Sequence, residues 1–205
     1  GFESDQILRF TDTEAEGQQP FKADLMRQLP EFLGKPGPND ALIVYFSGHG
    51  FRDDNGKLYL APIECDPAKP AETGIPVSWI RDQIAGCRAK FKLLVLDACH
   101  AGSEKGEDDL PAATAKDLGE PFRDLEGVVT LASSTADQKS LIWDEKQQSL
   151  FSYWLNQALK GHADDDGDGI VDIDELNEYV YDNVTRSAKS RFSRAQTPVR
   201  IVRVG

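Results

Sequence analysis

Ala41-Leu42-Ile43-Val44-Tyr45-Phe46-Ser47-Gly48-His49-Gly50 decides the fold. Its first six residues form an unbroken apolar run, short and rich in branched and aromatic side chains, as expected of a strand buried on both faces. A second such run, Phe91-Lys92-Leu93-Leu94-Val95-Leu96, leads into Asp97-Ala98-Cys99-His100-Ala101-Gly102. Between the two, Val77, Ile80 and Ile84 recur at helical spacing and predict a helix over 77–87. Strand, helix, strand implies parallel neighbours, because parallel strands need a crossover between them. In an open parallel sheet the carboxyl ends of the strands carry the ligand site, and both runs deliver a polar motif to that edge.

Further strands are expected at 7–11, 128–133 and 198–204, with a hairpin around Asp54-Asn55-Gly56. Phe21, Leu25, Leu29 and Phe32 are in step and predict a helix over 21–33 that covers the sheet. The expected fold is α/β: one domain, residues 1–205, with a mostly parallel central sheet between helices. Residues 103–126 are polar, with no long apolar period, and read as a surface linker.

Composition limits the function. The chain has 205 residues, 40% of them hydrophobic, enough for one well-buried domain. Its three cysteines are irregularly spaced, which argues against a disulfide framework. No apolar segment approaches the roughly 20 residues of a membrane span. Net charge is −12 with no basic stripe to meet phosphates, so neither nucleic acid nor membrane is an expected partner. A cytoplasmic enzyme is the expectation.

The chemistry follows from the two motifs. A cysteine attacks as thiolate, and an imidazole can take its proton and later return it to the leaving amine. His49 and Cys99 suit those roles, and the backbone amides of Gly50 and Cys99 suit an oxyanion hole. Asp97 lies two residues before Cys99 and therefore points to the same side of the strand, where it would line the pocket beside the attacked bond. A carboxylate there attracts a cationic substrate side chain and repels an anionic one. Asp12 reads as a second pocket acid, and Ser134, after the 128–133 strand, as a residue of the substrate channel.

With these residues in view, the chain resembles the caspase-like cysteine peptidases of the C14 type, in the branch of metacaspases and bacterial caspase homologues. A histidine about 50 residues before the cysteine is a known caspase spacing, and His49 and Cys99 match it. Asp97-Ala98-Cys99-His100-Ala101-Gly102 is similar to the Asp-x-Cys-His-x-Gly of metacaspases. The resemblance implies a caspase-like three-layer sandwich and a cysteine endopeptidase that cleaves proteins or peptides after Arg or Lys. It also implies activation by cutting within the linker, where Lys105, Lys116 and Arg123 are basic candidates. The family's first strand has no counterpart here, so an upstream fragment or regulatory domain is expected to supply it. Related cysteine peptidases of the separase or gingipain type share the dyad and stay open as an alternative, as does a calcium-binding pseudo-protease that serves as an interaction module.

A second motif stands near the C-terminus. Residues 164–175 carry acids at loop positions 1, 3, 5 and 12 and glycine at 6, the EF-hand calcium-loop pattern. Asp164, Asp166, Asp168 and Glu175 would supply carboxylate oxygens, Ile170 its carbonyl, and Asp172 a direct or water-mediated contact. Leu150, Phe151, Trp154 and Leu155 before the loop, and Leu176, Tyr179, Val180 and Val184 after it, predict a helix-loop-helix over 149–188. The plainer alternative is a solvated acidic loop. Against it, residues 164–178 hold eight acids and no base, a repulsion that a cation relieves. One such loop alone suggests a structural or tuning calcium ion. Metacaspases are often calcium-dependent, though generally through another acidic site.

Overall fold

The computed structural model describes residues 2–13, 17–98 and 112–203. In chain order the strands are β1 (Ala41–Gly48), β2 (Gly50–Arg52), β3 (Leu58–Leu60), β4 (Ile75–Pro76), β5 (Phe91–Ala98), β6 (Ala112–Ala113), β7 (Val128–Ala132), β8 (Ile142–Trp143), β9 (Gln148–Ser149) and β10 (Val199–Ile201). The helices are α1 (Lys22–Leu33), α2 (Pro70–Thr73), α3 (Val77–Gly86), α4 (Ala115–Gly119), α5 (Leu150–Gln157) and α6 (Ile173–Phe192).

The central sheet has the order β1-β5-β7-β10. β1 and β5 run parallel, as do β5 and β7, while β10 closes the far side antiparallel to β7. β5 is buried along its whole length after Phe91, and its side chains alternate between two cores. Leu94, Leu96 and Ala98 join Leu33 of α1, Ile80 and Ile84 of α3, and Leu118 of α4. Leu93 and Val95 join Phe151 and Leu155 of α5 and Leu176, Val180 and Val184 of α6. Each such fully buried side chain contributes roughly 1.5–3 kcal/mol. Helices on both faces of a mostly parallel sheet make the expected α/β sandwich.

A second sheet, β4-β3-β2-β6, is antiparallel throughout. Its β2 and β3 flank the turn at Asp54-Asn55-Gly56, where the sequence predicts a hairpin. Local chemistry sets the helix starts. Ser149 caps α5 by accepting from the Ser152 amide, and Thr114 and Asp117 form a reciprocal capping box on α4. Among the described residues no helix is long and apolar enough to cross a membrane.

Three expectations need correction. β1, read as buried on both faces, is an edge strand on which Leu42 alone is buried. Residues 7–11 are not a strand. They line a cavity of 960 Å³ together with β1 residues and join no ladder among the described residues, and the Thr11 amide donates to the Gln18 carbonyl at 3.1 Å. The linker expected at 103–126 is narrower: 103–111 lie outside the described residues, whereas the chain from Ala112 to Phe122 folds into β6, α4 and a 3-10 turn. Ala113, Ala115, Leu118 and Phe122 are buried there and enter the α1/α3 core, which a polar reading of the segment overlooks.

Candidate active site

The carboxyl edge of the central sheet carries His49, Gly50 and Asp97 at the ends of β1 and β5. β1 and β5 stay in register until Gly48 stands opposite Ala98. The next residue of the first strand is His49, exposed, whose carbonyl accepts the Ala61 amide at 2.9 Å. The next residue of the second is Cys99, which with His100 lies outside the described residues. The two other cysteines offer no alternative nucleophile. Burial pushes the Cys65 thiol up, away from thiolate, and Cys87 is buried in the core.

Gly50 opens β2 with Leu60 opposite on one side and Ala113 on the other. A Cβ at this position would lie 2.6 Å from Leu118 Cδ1, so a larger residue here would have to displace that buried side chain. That contact fixes the backbone that follows His49 against α4.

Asp97 ends β5 on the α5/α6 side and is fully buried. Ser140 donates to its Oδ1 at 2.8 Å, and Ser149 and Ser152 donate to its Oδ2. The Tyr45 hydroxyl lies 2.6 Å from Ser152 Oγ and, because Ser152 gives its proton to Asp97, is the donor in that pair. Gln196, also fully buried, donates to Ser140 Oγ at 3.3 Å and to the Ser133 carbonyl at 2.9 Å, and accepts from the Leu141 amide. A buried carboxylate is tolerable because its lone pairs are met in this way. The sequence reading finds Asp97 but misses this hydroxyl shell, since its members come from residues 43, 52 and 55 positions downstream.

The 960 Å³ cavity is lined by Asp12, Ser47, Gly48 and His49 among others, but not by Asp97. Asp12 is exposed in a turn. Ser134 is buried, and its hydroxyl donates to the Gln138 carbonyl at 3.1 Å. Asp12 and His49 thus line one cavity, whereas Asp97 and Ser134 are buried and do not line it.

The acidic loop has its own geometry. Asp164, Asp166 and Asp168 each bring one carboxylate oxygen within 4.8 Å of the others. Oxygens on one calcium lie at most about 5 Å apart, given bonds of 2.3–2.6 Å, so the three acids fit such an ion. Gly169 has φ +84, the left-handed turn that the sixth loop position requires. Asp164 accepts from the amides of Gly167 and Gly169. Asp172 caps α6, and the amides of Asp172 and Asp165 donate to Glu175 and hold its carboxyl below the usual carboxylate range. Ile170 is 66% exposed.

Comparison with known proteins gives the family and the fold. A family model described as the caspase domain, of the C14 peptidases, matches residues 6–202. Metacaspase-4 of Arabidopsis thaliana is 25% identical over a match that takes in 57% of this chain and 29% of that protein, so the chain spans less than a third of this relative's length. A Geobacter sulfurreducens protein of known crystal structure superposes with a TM-score of 0.56 over 92% of this chain and 76% of its own, at 12% identity, a likeness of fold alone.

Proposed function

The chain belongs to the caspase-domain peptidase family, and from that premise we propose that it is a cysteine endopeptidase cleaving after Arg or Lys. His49 takes the proton of the Cys99 thiol, and the thiolate attacks the carbonyl of the scissile bond. The amides of Gly50 and Cys99 receive the developing oxyanion. His49 then gives its proton to the leaving amine, and water hydrolyses the thioester that remains.

What supports this reading is the register of β1 and β5, which runs level to Gly48 and Ala98 so that His49 and Cys99 leave adjacent strands at one edge. Asp97 carries its charge close to that edge, and Asp12 stands on the cavity wall with His49; both favour a cationic substrate side chain. A peptidyl-arginine electrophile is expected to label the wild type and not Cys99→Ala. Fluorogenic peptides differing only before the scissile bond should turn over faster after Arg or Lys. Faster turnover after Asp would overturn the specificity.

Calcium is proposed at the 164–175 loop, held by Asp164, Asp166 and Asp168 with Ile170, Asp172 and Glu175. Its charge would neutralise the clustered carboxylates. The loop's own part is to fix the start of α6 through Asp172 and Glu175.

Self-processing is proposed at Lys105. Of the other basic candidates, Lys116 lies in α4 and Arg123 pairs with Glu120 at 2.7 Å, whereas a peptidase takes its substrate extended. Mass spectrometry of the wild type and Lys105→Gln would show the cut lost in the variant; a cut persisting there overturns the assignment. A strand from an upstream segment or regulatory domain is proposed to pair with the outer edge of β1. A longer polypeptide carrying it should melt higher than residues 1–205, and an unchanged melting temperature would remove the claim.

A further inference from the structure

At the opposite end of β5 from Asp97, the segment leaving α3 and the turn before β7 wall a separate cavity of 310 Å³. Arg88, Lys90 and Lys92 line it, with Glu126 as its one acid. None of these four has an ion-pair partner among the described residues. We propose that this cavity is a binding site for a small molecule carrying one or two phosphate groups.

Lys92 carries the argument. It occupies an interior strand position, pairs in register with Leu42 and Val128, and is only 8% exposed. By strand alternation its side chain leaves on the face of Leu94 and Leu96. Its stem is buried while its ammonium opens into the cavity with no carboxylate paired to it, so an anion there meets an unneutralised charge. The positive excess is local, because the whole chain carries −12. Arg88 adds a planar fork of donors and Lys90 a second ammonium, a set suited to phosphate oxygens.

The walls are preformed. The Lys92 amide donates to the Gly127 carbonyl at 2.8 Å. Gly127 has φ +71, and a Cβ there would lie 2.1 Å from the Lys90 carbonyl oxygen, so the two segments are locked together. The volume falls at the lower end of small-molecule sites and is too small for a folded partner or a duplex. Lys92 is five residues before Asp97, about 17 Å along the strand, so the cavity shares no residue with the proposed peptidase site.

Calorimetric titration with inorganic pyrophosphate, in calcium-free buffer because pyrophosphate chelates that ion, tests the site. Saturable binding that weakens with salt is expected for the wild type. Lys92→Met keeps the buried stem, Arg88→Gln changes only an exposed head, and either should weaken binding at least tenfold. Three outcomes would overturn the proposal: no saturable binding at millimolar pyrophosphate, unchanged affinity in Arg88→Gln, or equal affinity for citrate. A Lys92 that merely reaches solvent along its stem gives the first of these.

Discussion

Asp97 has exchanged water for three serine hydroxyls, and this makes its charge separable from its shape by mutation. Asp97→Ala leaves those hydroxyls without their acceptor in a buried site. Each orphan costs about 1–3 kcal/mol, less where it rotates to another partner, so urea unfolding should show a loss of about 2–4 kcal/mol. Asp97→Asn keeps the volume and removes the charge. It should retain most of the stability while kcat/KM for Arg and Lys peptides falls about a hundredfold. The acid itself was legible because a period of two places it on the same side as the residue two positions on. Its partners were not: Ser149 and Ser152 read locally as the start of a helix, and nothing in that spacing points to a carboxylate on a distant strand.

At the scale of elements, Glu175 ties the acidic loop to the head of α6. Amides of Asp172 and Asp165 hold the folded Glu175 carboxyl below its ordinary value of 4.5. A group depressed in this way adds stability that is present above 4.5 and is lost as pH falls through the lower folded value. The melting temperature should therefore drop on acidification below about pH 4.5. In Glu175→Gln, which has no proton to gain, the drop should be shallower in parallel thermal melts. Millimolar calcium should raise the wild-type melting temperature, by about 2.7 kcal/mol of stabilisation at a hundredfold excess over Kd, and Asp166→Asn should blunt the rise. The loop was readable because its signal is a contiguous twelve-residue pattern. The segment 112–122 was not, because α4 is one short turn whose apolar residues show no period until the core they enter is known.

On the scale of the whole molecule, the central sheet ends in an edge strand on each side, β10 and β1. On β1, Ile43 and Tyr45 are 41% and 50% exposed, although the Tyr45 hydroxyl reaches Ser152 of α5. An open apolar edge strand templates pairing with another chain. Sedimentation should show concentration-dependent self-association that Ile43→Lys reduces; a monomer at all concentrations would count against it. The buried strand β5 was evident from its unbroken apolar run, whereas the similar run of β1 lies at the sheet edge with one face exposed. Residues 7–11 carry a similar pattern but join no ladder among the described residues, and whether a run becomes a strand depends on a ladder that its own residues do not encode.

α5 joins two of these places. Its first turn presents Ser149 and Ser152 to Asp97, and past its last turn the chain enters the acidic loop. Eight residues make a rod of about 12 Å, and the π-helical turn Ala158–His162, kinked at Gly161, links it to the loop. On the proposed calcium and arginine readings, the loop would bear on substrate choice. Withdrawing calcium should raise KM for arginine peptides while kcat stays level, so the ion would act as a dial on selectivity in addition to bracing the fold.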